Sequence, residues 1–157
     1  MKFLLIDRIT ELVPGERISA VKALSRAEEY LADHFPRFPV MPGVLMIEAM
    51  VQSSAWLVRA TEDFAHSMML LAEAKNVRYK SFISPGRLFE LRVEAKEIGT
   101  TSSRFAGFGR CGQTEMVTGQ WSLRHFNLAD EEPAWKALDQ KLVAWARQQM
   151  ELLVRSV

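Results

Sequence analysis

The chain has 157 residues, of which 48% are hydrophobic and 25% charged, with a formal net charge of +1. A single domain of this length buries roughly 68–70% of its unfolded surface, so it folds without help from a metal or a disulfide. The near-neutral charge argues against a nucleic-acid role, and the one cysteine, Cys111, has no disulfide partner and no zinc-type spacing around it.

At the N-terminus, MKFLLIDRIT holds only FLLI as an apolar core before Asp7 and Arg8, too short for a signal peptide. No stretch approaches eighteen apolar residues, so cytoplasm is the expected location. Residues 3–9 read as a short strand or turn, ELVPGE at 11–16 as a turn, and RISAVKAL at 17–24 as a strand. Pro36, Pro39 and Pro42 exclude a regular helix over 25–42 and favour extended backbone at Phe35, Phe38 and Met41. An ordered loop with little freedom to lose is expected there.

From Gly43 the run VLMIEAMVQSSAWLVRA is apolar on nearly all sides and rich in helix formers. It predicts a largely buried helix over 43–59, with Pro42 at its start. A strand follows at 68–80. RLFELRVEAKEI then alternates, with Phe89, Leu91, Val93 and Ala95 on one face. SSRFAGFGRCG and EMVTGQWSLRHF add two strands, the second with Val117, Gly119, Trp121 and Leu123 on a shared face. SPG at 84–86 and GTTS at 99–102 supply turns. The fold class is α+β, a mostly antiparallel sheet with one long buried helix.

The C-terminal segment from Pro133 reads as an amphipathic helix whose stripe is Trp135, Leu138, Leu142, Trp145 and Leu152, broken by Gln149. Such a stripe serves packing on the domain, a subunit contact, a lid over a pocket or a membrane surface.

A carboxylate in an apolar helix must be partnered, solvent-connected or raised in pKa. Glu48 is such a group, and Gln52 lies one turn on, placed to donate to it. The plain alternative is a local polar breach of the helix. His34 lies fourteen residues earlier, beyond three prolines. A histidine and a glutamate of raised pKa form an acid–base pair, provided the loop folds back or a second subunit supplies one of them. Gly43 leaves the helix N–H groups open to a ligand oxygen. Together these suit elimination beside a carbonyl. His66 and His125 read as surface residues, and Tyr79 and Lys80 as either an anion contact or a solvated strand edge. No HExxH, GxGxxG before a helix, GxxxxGK[ST] or GxSxG occurs, and no metal is expected.

The stretch HFPRFPVMPGVLMIEAMVQ, with His34-Phe35-Pro36, Pro39 to Leu45, Glu48-Ala49 and Gln52, closely resembles the signature of the 3-hydroxyacyl-acyl carrier protein dehydratases. The resemblance extends from about residue 3 to about residue 125 and includes LLIDRITELVPGERISAVKALS and VRYKSFISPGRLFELRVEA. It implies a hotdog fold over residues 1–128, with residues 129–157 an added helical extension on the domain or a subunit interface. It also implies a homodimer with shared active sites, assembled further into a trimer of dimers. His34 would act with Glu48 of the neighbouring subunit, Gly43 would hold the thioester carbonyl, and Gln52 would orient the acid. Phe82 and Phe89 are acyl-tunnel candidates, with core packing as the alternative. The substrate implied is a (3R)-3-hydroxyacyl chain on the phosphopantetheine arm of acyl carrier protein, dehydrated to the trans-2-enoyl thioester with no further cofactor. A thioesterase of the same fold and a non-catalytic acyl-carrier-binding subunit are the other readings. Asp33 replaces the usual glycine before the histidine, and Arg87 replaces the usual acidic residue after Pro-Gly.

Overall fold

The computed structural model describes residues 3–155. Six antiparallel strands, β1 (Arg8–Val13), β2 (Arg17–Ala23), β3 (Met68–Tyr79), β4 (Leu88–Ile98), β5 (Ser102–Cys111) and β6 (Thr114–Phe126), form one sheet in the order β1-β2-β4-β5-β6-β3. The helix α1 (Gly43–Thr61) lies across this sheet, and α2 (Lys136–Val154) closes the chain. This is the hotdog arrangement of a sheet around a long helix, with an extra C-terminal helix. No helix among the described residues is long and apolar enough to cross a membrane.

α1 buries Met46, Ile47, Met50, Val51, Trp56, Leu57 and Val58 against the inner faces of the strands. The alternation expected in β4 holds, with Phe89, Leu91 and Val93 buried and Arg92 and Glu94 exposed. Two serines in the middle of α1 are also buried. Ser53 and Ser54 each donate to the carbonyl one turn back, and the Trp121 indole N–H donates to Ser54 Oγ at 2.8 Å. That bond pins the middle of the helix to β6 and leaves no buried polar atom of the three side chains unmatched.

Glycines in β5 make room for the large rings. A Cβ at Gly109 would stand 2.2 Å from the Phe89 ring, and one at Gly107 would stand 2.5 Å from the Arg92 carbonyl and 2.9 Å from Trp121. The sheet can therefore close tightly over α1 where the bulkiest side chains lie.

Several boundaries differ from the sequence expectation, among them the end of α1, at Thr61 rather than residue 59. β1 extends through Val13, and the turn is confined to residues 14–16, because Leu12 and Val13 pair with Ile18 and Arg17 across a hairpin that Gly15 turns at φ +80°. In the tail, Pro133–Trp135 form a 3-10 turn before α2 begins.

The expected tail stripe also does not face inward. Trp135, Leu138, Trp145 and Leu152 are exposed, and the packed side is Asp139, Val143, Ala146, Met150 and Leu153, with Leu142 half-buried. Polar anchors set this rotation. The Asp139 carboxylate accepts from the Ser67 hydroxyl and from the N–H groups of Leu128 and Ala129, both at 2.9 Å. Arg147 pairs with Asp63 at 2.9 Å, donates to its carbonyl at 2.8 Å and lies over the Phe64 ring. Burial alone would raise the Asp139 carboxyl, but these donors outweigh it and hold it below the ordinary aspartate value.

Gly109→Ala is expected to displace the Phe89 ring and to lower unfolding stability by about 1–3 kcal/mol in denaturant titrations. Asp139→Ala should cost about 1–3 kcal/mol and expose α2 to limited proteolysis before the rest of the chain. Because the folded pKa of Asp139 is depressed, its contribution is complete above about pH 4 and fades as pH falls through the folded value. A tail whose protease sensitivity ignores both the substitution and acid would refute this anchor.

Candidate functional site

The loop that carries His34 is built by local contacts. Lys22, nearly buried, pairs with Glu28 at 2.8 Å and Asp7 at 3.1 Å, which fastens the 3-10 turn Glu29–Leu31 to β2. The His34 N–H donates to the Tyr30 carbonyl at 3.2 Å, and its ring leans on Phe35, centroids 4.4 Å apart. Phe35 is not extended, as the following proline had suggested, but takes the left-handed φ of +50°, so the chain reverses and Phe38 N–H reaches the Phe35 carbonyl at 2.7 Å. Met41 N–H then donates to the Ile83 carbonyl at 2.8 Å, and Phe38 meets Phe82 edge-on at 5.9 Å. Loop 35–42 is thus fastened to the β3–β4 connection, which proline spacing alone did not reveal.

Gly43 opens α1 with Pro42 before it, and no side chain among the described residues caps that end. The ring of Tyr79 stands 3.0 Å from where a Gly43 Cβ would be, so a side chain there would have to shift that ring by a few tenths of an ångström. Tyr79 therefore packs on the helix start, a role that neither sequence reading of it included.

Glu48 and Gln52 share one face of α1, as their spacing predicts. Gln52 Nε2 donates to Glu48 Oε1 at 3.1 Å and to the Phe3 carbonyl at 3.0 Å, while its Oε1 accepts from Leu5 N–H at 3.0 Å. One amide thus holds both the carboxylate and the N-terminal segment. The two residues line a cleft of about 270 Å³ together with Phe3, Trp56, Arg59 and, from α2, Trp145 and Gln149. Gln149, which interrupts the tail's apolar stripe, faces this cleft.

Arg59 was not anticipated. It lies eleven residues after Glu48, three helical turns along the same face, and that spacing was the available signal. Its guanidinium stacks over Trp56 at 5.1 Å, and burial pushes its pKa down to about 10, against the opposing pull of Glu62. Its Nε has no hydrogen-bond partner among the described residues.

The remaining expected residues are dispersed. Phe89 is fully buried in the core against Gly109, and Phe82 is exposed beside Phe38. Neither lines the Glu48 cleft. Asp33 is exposed and forms no hydrogen bond or ion pair with His34 among the described residues. Arg87 donates to the Cys111 carbonyl at 3.3 Å, next to the β5–β6 turn. Among the described residues, no hydrogen bond or ion pair joins His34 to Glu48 within the chain.

The expectation for two other histidines fails. His125 is fully buried, and His66 is half-buried against Glu62 at 2.9 Å. Both lie where strand ends meet the C-terminal end of α1, and their polar sequence neighbours concealed this.

A family model described as "FabA-like domain" matches residues 1–115. A 3-hydroxyacyl-[acyl-carrier-protein] dehydratase FabZ from Syntrophomonas wolfei is 48% identical over 117 residues, 74% of this chain and 81% of that protein. The chain belongs to the FabZ/FabA dehydratase family. The FabZ of Ruminiclostridium cellulolyticum is 35% identical over 104 residues, covering 65% of this chain and 73% of that one. Among solved structures, the dehydratase heterocomplex ApeI:P from Xenorhabdus doucetiae superposes with a TM-score of 0.70 at 17% identity, over 85% of this chain and 90% of that chain. A hypothetical thioesterase with coenzyme A from Streptococcus pneumoniae superposes with a TM-score of 0.58 at 8% identity, over 75% and 86%. At such identities the structural likenesses establish the fold, and the FabZ/FabA assignment rests on sequence.

Gln52→Ala should release both the 3–5 segment and the Glu48 carboxylate. The expected result is faster hydrogen exchange at the Leu5 amide, with α1 protection unchanged. Unaltered exchange at Leu5 would show that the amide clamp is not what holds this segment.

Proposed function

We propose that this chain is a hydro-lyase that dehydrates a (3R)-3-hydroxyacyl thioester on acyl carrier protein to the trans-2-enoyl thioester. The observation that carries this reading is the run from His34 to Gln52. It matches the dehydratase signature in order and without gaps, and it lies across the uncapped start of α1, with Glu48 held by Gln52.

The chemistry follows from the groups in that run. The Gly43 N–H at the positive end of the helix receives the thioester carbonyl oxygen and stabilises the negative charge that develops on it. The C2 proton is thereby acidified, and His34 removes it. Glu48, oriented by Gln52, gives its proton to the C3 hydroxyl, which leaves as water as the C2–C3 double bond forms. The phosphopantetheine arm belongs to the substrate, and the acyl carrier protein is the partner.

No hydrogen bond or ion pair joins His34 to Glu48 among the described residues of one chain, and β3 offers a reason to pair two chains. It is twelve residues long, bonded on one side only to β6, with Leu70 and Leu71 exposed. A long open edge of this kind is a template for another strand. A homodimer joined at β3 would make one continuous sheet and offer the Glu48 of one protomer to the His34 of the other.

With 3-hydroxyacyl-acyl carrier protein as substrate, enoyl thioester is the expected product. His34→Ala and Glu48→Gln should each lower kcat about 10²–10⁴-fold. Unfolding and refolding the two variants together should restore about one quarter of the wild-type activity. Half of the dimers are then mixed, and each mixed dimer holds one intact site of two. No recovery would defeat the shared site. Full activity in either variant would defeat the catalytic assignment, and free acid without enoyl product would identify a thioesterase.

A further inference from the structure

We propose that Glu62, His66 and His125 form a binding site for one divalent cation of the zinc class, at the opposite end of α1 from Glu48. Their donor atoms all lie within 4.8 Å of one another. Glu62 is the residue at which α1 ends, His66 follows one turn later, and His125 stands at the end of β6. The chain is folded back between the first two by Asp63 and Phe64, both at left-handed φ, +51° and +61°.

The donors suit such an ion. Glu62 Oε2 lies 2.9 Å from His66 Nδ1 and 3.5 Å from His125 Nδ1. In a tetrahedral zinc site with bonds of 2.0–2.1 Å, neighbouring donors stand about 3.4 Å apart, between those two distances. Two imidazoles and a carboxylate are a common zinc donor set, and oxygen-seeking magnesium or calcium has little use for it.

His125 is the group that points to a ligand. It is fully buried, and its Nδ1 has no hydrogen-bond partner among the described residues. Its contact with Glu62 at 3.5 Å is too long to serve as one. Its other nitrogen, Nε2, is 3.0 Å from the Ser103 hydroxyl. That bond sets the ring and leaves Nδ1 for a metal, the usual outer-shell arrangement for a ligating histidine.

A cation here replaces the hydrogen bond between His66 and Glu62 and gives His125 Nδ1 its missing partner. The side chains of His66 and Glu62 retain 16% and 14% exposure, so a water can complete the tetrahedron from that side.

The order Ser103, His125, Glu62 resembles a hydrolytic triad, but Ser103 is 1% exposed and cannot meet a substrate. The site is also fourteen residues along α1 from Glu48, about 21 Å at 1.5 Å per residue. Its role is therefore structural. It ties the end of α1 to β6 beside Ser67 and Asn127, where the tail is anchored. The proposal does not depend on the dehydratase reading.

The test uses the full chain, stripped with a chelator and dialysed. Calorimetric titration with zinc chloride should give one ion per chain, and cobalt(II) should develop the intense visible bands of tetrahedral coordination. His66→Gln and Glu62→Gln, both at partly exposed positions, should each weaken zinc binding at least tenfold while circular dichroism stays unchanged. His34→Ala should bind as the wild type does. Absence of stoichiometric zinc binding, wild-type affinity in either ligand variant, or loss of binding in His34→Ala would overturn the proposal.

Discussion

A helix that is apolar on nearly every side must be covered on nearly every side, and the rest of this structure follows from that requirement. α1 has eleven buried residues, and among them Met46, Met50 and Leu57 are each 2% exposed or less. Full burial of one such side chain is worth about 1.5–3 kcal/mol, so the sheet gains most by curving around the helix. β5 meets it with glycines where Phe89 and Trp121 need the volume. The polar interruptions in α1 are then confined. Ser53 and Ser54 are satisfied internally, and Glu48, Gln52 and Arg59 gather on the one stripe where the sheet does not close.

The same helix works as a ruler. Its first turn carries the uncapped N–H groups and the glycine against Tyr79, its second and third turns carry Glu48 and Gln52, and its last residue is followed by Glu62 with the half-buried His66 and the buried His125. Groups so placed on one rigid element keep their separation, so the Glu48 cleft and the histidine cluster stay apart. α2 touches both regions. It lines the Glu48 cleft with Trp145 and Gln149 and is anchored near the histidines through Asp139 and Arg147.

Much of this was legible in advance where a residue's surroundings depend on its own spacing. The alternation in β4 and the continuous apolar run of α1 each predicted burial correctly, because period two and a missing polar face specify what must be hidden. The Glu48–Gln52 hydrogen bond was legible for the same reason, being one helical turn long. Spacing left the tail stripe open to packing on the domain, a subunit contact, a lid over a pocket or a membrane surface, and could not choose among them. The bonds made by Asp139 to Ser67, Leu128 and Ala129, and by Arg147 to Asp63, set the rotation of α2 instead. Within this chain those bonds leave Trp135, Leu138, Trp145 and Leu152 exposed.

The sequence by itself determined the family, the strand and helix order, and the acid-and-amide pair on α1, because each is carried by residues close together in the chain. Only the tertiary structure decided that His125 is buried against Glu62 and His66. It likewise decided that Arg59 shares a cleft with Trp145, and that no hydrogen bond or ion pair joins His34 to Glu48 among the described residues of one chain. The physical reason is common to all three. Each relation depends on which faces of α1, β6 and α2 are brought together when the sheet wraps the helix, and no local periodicity encodes contacts made across that closure.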